Sequence, residues 1–359
     1  MSLRRLELID FRTFQRACFE PEEDGTTVIT GGNGTGKTSV LEAFAYLATK
    51  RSFRGAPAGA MVRSGATEAI VRAMVDGPDS PIAIEAEIRP VGSGRARVNG
   101  KTTTDRKTLA AAAPCTIFSP EDLAIVGGGP GGRRDLLDDA LAFLDPQGAR
   151  AADELDRVLR QRAALLRQAG GSSSPEVVTT LGVWDQRLVS AGEVLVAARE
   201  ALVSALAEPV ADAYRRIAGE TGCALATIAY ARSWDGDLSG AVLAARREDL
   251  RRGVNTVGPQ RDDLVLQLEG REARTHASQG EQRCLALALR LGVHRLVCAR
   301  TVLRPTLLLD DVFAGLDPSR SRALVEALPF GQAVLTLAVP LEAGMPVARA
   351  VPVEELVVP

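Results

Sequence analysis

Apolar and polar positions divide this chain of 359 residues into strand-rich and helix-rich stretches. Near the start, Leu3, Leu6, Leu8 and Ile9 mark a strand. A turn at Glu22 to Gly25 leads into Thr26-Thr27-Val28-Ile29-Thr30, whose β-branched run predicts a buried strand. The octet GGNGTGKT separates it from a helix, SVLEAFAYLAT, over 39–49. Residues 69–99 hold AIVRAMV, IAIEAEI and RARVNG, an alternation that predicts antiparallel hairpins. AAAPCTIFSPED predicts a short strand ending at Ser119-Pro120.

After the glycine-rich GGGPGG of 127–132 the period changes. Residues 133–217 are helix-rich, with Leu155, Val158, Leu159, Leu165 and Leu166 at helical spacing and one break at GGSSSP, 170–175. This predicts a two- or three-helix insertion, too interrupted for a long coiled coil. Strand character returns at LVLQLEG, 264–270, at TLLLDD, 306–311, and at AVLTLAV, 333–339. Residues 341–359 read as a loosely held tail. The expected division is a first lobe of 1–118 with 299–359, and a second lobe of 119–298.

Composition narrows the function classes. Hydrophobic residues make up 46% and charged residues 25%, the profile of a globular chain with a real core. Net charge is −2, so a nucleic-acid surface has to be local. The five cysteines form no CxxC pair, which points to reduced thiols and away from zinc. With only two histidines, His276 and His294, a histidine metal site or a Ser-His-Asp triad is excluded as the working expectation. No apolar run reaches membrane-spanning length and no signal-peptide core opens the chain, so the expected home is the cytoplasm, without a membrane partner.

The chemistry begins at Gly31-Gly32-Asn33-Gly34-Thr35-Gly36-Lys37-Thr38, which matches GxxxxGK[ST] in full and sits between a strand and a helix. The glycines let backbone N–H groups turn toward phosphate oxygens, and the helix N-terminus adds its positive dipole end. Lys37 reaches the β- and γ-phosphates of ATP in this reading, the Thr38 hydroxyl holds Mg²⁺, and Ser39 follows in the loop. TLLLDD then places two carboxylates at the end of an apolar strand. Like charges there repel, and Mg²⁺ removes the difficulty. Asp310 is expected on the metal's water shell and Asp311 on the attacking water. The alternative is a surface Asp pair at a strand end.

THASQGEQRCLALALRLG, 275–292, contains a second helix N-terminus. Ser278 and Glu281 have capping-box spacing, so one reading is that Ser278 only caps its own helix. The other is a second anion site at Ser278-Gln279-Gly280.

The chain resembles the RecF DNA replication and repair family of ABC-type ATPases, the group that includes the chromosome-structuring proteins. The resemblance runs from residue 3 to about 336. It rests on LELIDFRTF, the phosphate loop trailed by SFR, FSPEDL, GGRRDLLD, VWDQRL, GPQRDDL, ASQGEQR and LLLDDVFAGLD, in that order. Departures from the family's usual residues stand at Ser39, Ala163, Gln260 and Glu281. No switch histidine follows AVLT; Thr336 stands near its place.

The resemblance implies an α/β fold: an ABC-type ATPase head with a mixed sheet, an antiparallel subsheet and a helical arm lobe. It implies an ATP-dependent homodimer in which Ser278-Gln279-Gly280 binds the γ-phosphate held by the other protomer, with Asp317 in an interface loop. It implies slow, DNA-dependent ATP hydrolysis. The expected setting is recombinational repair, the SOS response and fork maintenance, on gapped or junction duplex. RecO- and RecR-type mediator proteins are the implied partners, and recombinase loading the outcome. Arg12 reads either as an adenine contact or as a strand-end surface residue. Arg51, Arg54, Arg133 and Arg134 are candidate DNA contacts, though such basic runs are more often solvated faces. A transporter-type motor and a non-catalytic nucleotide-binding module are the competing readings.

Overall fold

The computed structural model describes the chain except residues 78, 93, 219–224, 315, 317, 330, 339–345 and 359. The strands are β1 (Leu3–Phe11), β2 (Phe14–Phe19), β3 (Gly25–Thr30), β4 (Ala69–Val75), β5 (Ile82–Ile88), β6 (Ala96–Val98), β7 (Lys101–Thr103) and β8 (Cys115–Phe118), then β9 (Ala226–Ala231), β10 (Asp263–Leu268), β11 (Arg271–Glu272), β12 (Thr306–Leu309), β13 (Gln332–Leu337) and β14 (Arg349–Pro352). The helices are α1 (Lys37–Thr49), α2 (Ala58–Met61), α3 (Arg106–Ala112), α4 (Leu123–Gly127), α5 (Pro130–Leu144) and α6 (Pro146–Ala169), then α7 (Pro175–Ala218), α8 (Leu238–Arg252), α9 (Ala273–His276), α10 (Gln279–Arg300) and α11 (Pro318–Ala327).

The contacts divide these elements into two compact units. The first comprises Met1–Leu123, Asp212–Cys223 and Gln279–Pro359; the second comprises Ala124–Ala211 and Ala224–Ser278.

The first unit carries the α/β head expected from sequence, with its antiparallel and parallel strands in separate sheets. Six antiparallel strands run in the order β2-β1-β4-β5-β6-β7, and five parallel strands in the order β14-β3-β13-β12-β8. Helix α1 lies among them and is buried continuously from Val40 to Ala48. A helix apolar all round belongs in a core. Leu6, Leu8, Phe11, Leu41 and Phe44, each at most 1% exposed, share that core with Leu308 and Val334 of the parallel sheet. The buried Gln332 amide joins the sheets: it accepts from the Leu3 N–H and the Thr306 hydroxyl, and donates to the carbonyls of Leu3 and Glu22.

Helix α10 is buried without a break from Cys284 to Leu289 and packs on β8. That packing places it in the first unit, whereas the sequence reading put 279–298 in the second lobe. The tail also differs from expectation. β14 adds to β3 in parallel, and Val351, Val353 and Leu356 are each at most 4% exposed. An edge strand with Pro352 gives a weak sequence signal, because proline is confined to edges.

The second unit holds α5, α6, the first part of α7, α8 and the sheet β11-β10-β9. Several of its charged residues are internal ties. Arg162, 1% exposed, pairs with Asp185 at 2.7 Å and Asp249 at 2.6 Å. Asp262, fully buried within GPQRDD, accepts from Tyr230, from the Ser233 hydroxyl and from the Ser233 N–H.

Candidate nucleotide site

The phosphate loop follows β3 and ends in the first turn of α1. Gly34 at φ +80° and Gly36 at φ +105° hold left-handed backbone that only glycine adopts cheaply. A Cβ at Gly36 would also lie 2.7 Å from the Phe14 ring, so β2 closes the back of the loop. Lys37 is 8% exposed, and its ammonium donates to the carbonyls of Gly31 (2.8 Å) and Gly32 (2.6 Å). Thr35 donates to the Gly32 carbonyl, and Ser39 donates its N–H to Gly36.

β13 lies between β3 and β12, so the loop and the carboxylates stand at the same end of parallel strands. Ligands of parallel sheets bind outside those carboxyl ends. Thr38 Oγ1 donates to Asp310 Oδ1 at 2.9 Å. Thr336 of β13 donates to the same oxygen at 2.7 Å and accepts the Asp311 N–H at 2.9 Å. Burial pushes the Asp310 carboxyl above the usual carboxylate range. The Asp311 and Glu121 charges push the same way, and the two hydroxyl hydrogen bonds oppose them.

Asp311 departs from the strand at φ +47°. For a non-glycine residue this left-handed backbone is uncommon and clusters at functional sites. Its N–H is held by Thr336, and its carbonyl accepts from the Ala314 N–H and from Arg283 of α10 at 2.5 Å.

A cleft of about 620 Å³ opens between these groups, with Asn33, Lys37, Thr38, Asp310, Asp311 and Thr336 on its wall. Arg12 also reaches it. It is no surface arginine: its side chain is 15% exposed and forks onto Glu42 at 2.8 and 2.6 Å. Glu42 is fully buried on α1 and accepts a further hydrogen bond from Ser52, the serine of SFR. The sequence marks Thr336 only as standing near the place of a switch histidine, and nothing in its pattern points to Glu42 or Arg283 as site residues.

Thr38, Asp310 and the adjoining loop offer only hard oxygen donors. That set suits Mg²⁺, which takes one or two carboxylates together with substrate phosphates and water.

Ser278 stands exposed immediately before α10, followed by exposed Gln279 and half-buried Gly280. A Cβ at Gly280 would lie 3.3 Å from the Arg320 guanidinium. Asp317 lies outside the described residues.

The candidate DNA contacts separate. Arg51 and Arg54 are exposed on the loop after α1, with Arg54 at the cleft. Arg133 is not available to DNA: it is 5% exposed, forks onto Asp263 at 2.6 and 2.9 Å, and donates to the carbonyls of Ile125 and Gly128. A guanidinium so committed cannot meet a phosphate without breaking a buried pair. Arg134, half-buried, donates to the Asp262 carbonyl at 2.7 Å. Arg157, Arg160, Arg251 and Arg252, in the other helical clusters, pair with acids one turn away.

Residues 2–334 match the family described as RecF/RecN/SMC N terminal domain. A DNA replication and repair protein RecF from Frankia alni is 39% identical, over 96% of this chain and 95% of its own length. Its counterpart from Acidothermus cellulolyticus is 38% identical, over 99% and 98%. The solved structure of the recombination mediator protein RecF with ATP, in the RecFOR pathway, superposes with a TM-score of 0.85 at 25% identity, covering 95% of this chain and 93% of that one. An Smc head domain from Pyrococcus furiosus superposes with a TM-score of 0.56 at 15% identity, over 94% and 89%, a likeness of fold alone.

Proposed function

The chain belongs to the RecF family of ABC-type ATPases, related to the SMC heads, and we propose that it acts as an ATP-driven clamp on duplex DNA, dimerising through shared nucleotides near gaps or junctions and hydrolysing ATP slowly. The observation that carries this reading is the hydrogen bond from Thr38 to Asp310, with Thr336 bracing the same carboxylate. It joins the phosphate loop to the acidic strand as phosphoryl chemistry requires.

In this account the loop N–H groups and Lys37 bind the phosphates, and Arg12 borders the same cleft. Thr38 and Asp310 hold Mg²⁺, whose charge offsets that of the phosphate oxygens. Asp311 orients the attacking water and takes its proton. The water oxygen bonds to the γ-phosphorus as the bond to the bridging β–γ oxygen breaks, and ADP leaves. Ser278-Gln279-Gly280 of one protomer faces the γ-phosphate on its partner, and Asp317 belongs to the same interface.

Arg51 and Arg54 are the best-exposed candidates for the DNA backbone. The family relatives are named for DNA replication and repair, and the solved RecF structures for the RecFOR pathway. These names support repair and replication as the setting and RecR- and RecO-type mediators as partners; recombinase loading as the outcome and the cytoplasm as the location are part of the proposal. Among the described residues no helix is long and apolar enough to cross a membrane.

Steady-state ATP hydrolysis at fixed low salt, with and without duplex DNA, tests the proposal. A clear rise with duplex supports it. Unchanged turnover removes the DNA-gated step.

A further inference from the structure

Arg283 lies in the second turn of α10, three residues after Gly280. Its side chain is half-buried, and burial holds its pKa below the ordinary arginine value. The Asp311 charge partly offsets that burial. Nη2 donates to the Asp311 carbonyl at 2.5 Å. Nε is buried with no hydrogen-bond partner among the described residues. A half-buried cation with a buried, unsatisfied donor is a costly way to tie a helix to a loop, and stability alone does not account for it.

The acceptor end has the same character. Asp311 adopts φ +47°, and its peptide groups are clamped on both sides, the N–H by Thr336 and the carbonyl by Arg283 and Ala314. Left-handed backbone at an aspartate persists when the surroundings over-determine it. Of the three groups named in this clamp, Arg283 is carried by α10, the helix that starts at Gln279.

We propose that Arg283 is a positioning residue for ATP hydrolysis: it couples the phosphate-facing first turn of α10 to the main chain of Asp311 in the same protomer. The inference rests on the proposed role of Asp311 and adds how that carboxylate is aimed. When a phosphate seats on the Gln279-Gly280 turn, any shift of α10 reaches Asp311 through one hydrogen bond. Misplacement of a reacting group by about 1 Å costs on the order of a hundredfold in rate, so the link is large enough to gate turnover.

The test uses the full-length protein with Arg283→Gln, Arg283→Lys and Asp311→Asn. Three readouts are taken: kcat and KM for ATP, equilibrium binding of a fluorescent ATP analogue, and thermal melting. Arg283→Gln is expected to lower kcat by at least about tenfold while analogue affinity stays within about twofold. In the double variant, Arg283→Gln is expected to add nothing to the loss caused by Asp311→Asn, because the two residues act as a unit. Arg283→Lys retains the positive charge, so it serves if the glutamine variant fails to fold. It is expected to lose several-fold in kcat at unchanged affinity.

Wild-type kcat in a folded Arg283 variant, beside an inactive Asp311→Asn, overturns the coupling and leaves the proposed function intact. Parallel losses of kcat, analogue affinity and melting temperature assign Arg283 a structural role and also overturn it. Unimpaired hydrolysis by Asp311→Asn sinks the catalytic assignment itself, and the coupling with it.

Discussion

The Thr38 hydroxyl donates to the Asp310 carboxylate at 2.9 Å, across 272 residues of chain. One residue closes the phosphate loop and the other ends the acidic strand. Asp310 is buried, and burial raises its pKa against the opposing hydrogen bonds from Thr336 and Thr38. A cation placed there favours the ionised form. Thr38→Val removes a metal donor and a hydrogen bond while nearly preserving shape. The expected result is a magnesium requirement for hydrolysis shifted to higher concentration by about tenfold or more, with kcat reduced at saturating ATP. A magnesium titration of the initial rate checks it, and an unshifted curve removes Thr38 from the metal site.

Arg133 and Arg54 are expected to give opposite phenotypes. Arg133→Ala strands Asp263 and two carbonyls in the second unit. Breaking such a pair costs roughly 3–5 kcal/mol when fully buried, and somewhat less here because Asp263 is 31% exposed. Arg54→Ala lies on an exposed loop and is expected to leave stability within about 0.5 kcal/mol. If it meets a phosphate, it weakens duplex binding and lowers the salt slope by about 1. Urea unfolding and salt-dependent DNA titration separate the two effects. A stable Arg133→Ala protein with weakened DNA binding would reverse the assignment.

His294 supplies a pH signature. It is buried on α10, shares a hydrogen bond with Thr116 of β8 at 3.0 Å and has its pKa lowered to about 4, chiefly by burial and secondarily by Arg295. The unfolded chain therefore binds a proton below about pH 6.5 that the folded chain refuses until about pH 4. Stability from the neutral imidazole is complete above the unfolded value. It declines as pH falls through that window, by roughly 3 kcal/mol in all. Between about pH 7.5 and about pH 4.5, His294→Asn is expected to lose less of its urea midpoint than the parent protein does. Equal losses would show that His294 does not titrate as described.

Local chemistry was legible in the sequence, and pairings between distant elements were not. The β3–loop–α1 unit follows from glycines, a lysine and a β-branched run within about two dozen residues. The carboxylates of TLLLDD were equally plain. Thr336, by contrast, acts only because β13 falls between β3 and β12, and strand order is not written in either segment. Arg133 sits in a run indistinguishable from a solvated basic patch; its partner Asp263 lies 130 residues away. The tail misled because RAVP is short and ends in proline, yet β3 leaves an edge that it fills. Ser278 kept both of its readings, since a residue that opens a helix can also face a phosphate brought by a second chain.

The shared-nucleotide dimer is the centre of the account, and Ser278 is where a single substitution reaches it. Light scattering on the parent protein, Lys37→Ala and Ser278→Arg, each with and without ATP and magnesium, tests it most directly, alongside nucleotide titration of the same samples. The account predicts that ATP doubles the mass of the parent protein, that Lys37→Ala neither binds ATP nor dimerises, and that Ser278→Arg binds ATP yet stays monomeric. An ATP-dependent dimer of Ser278→Arg, or a parent protein that binds ATP and remains a monomer, would contradict it.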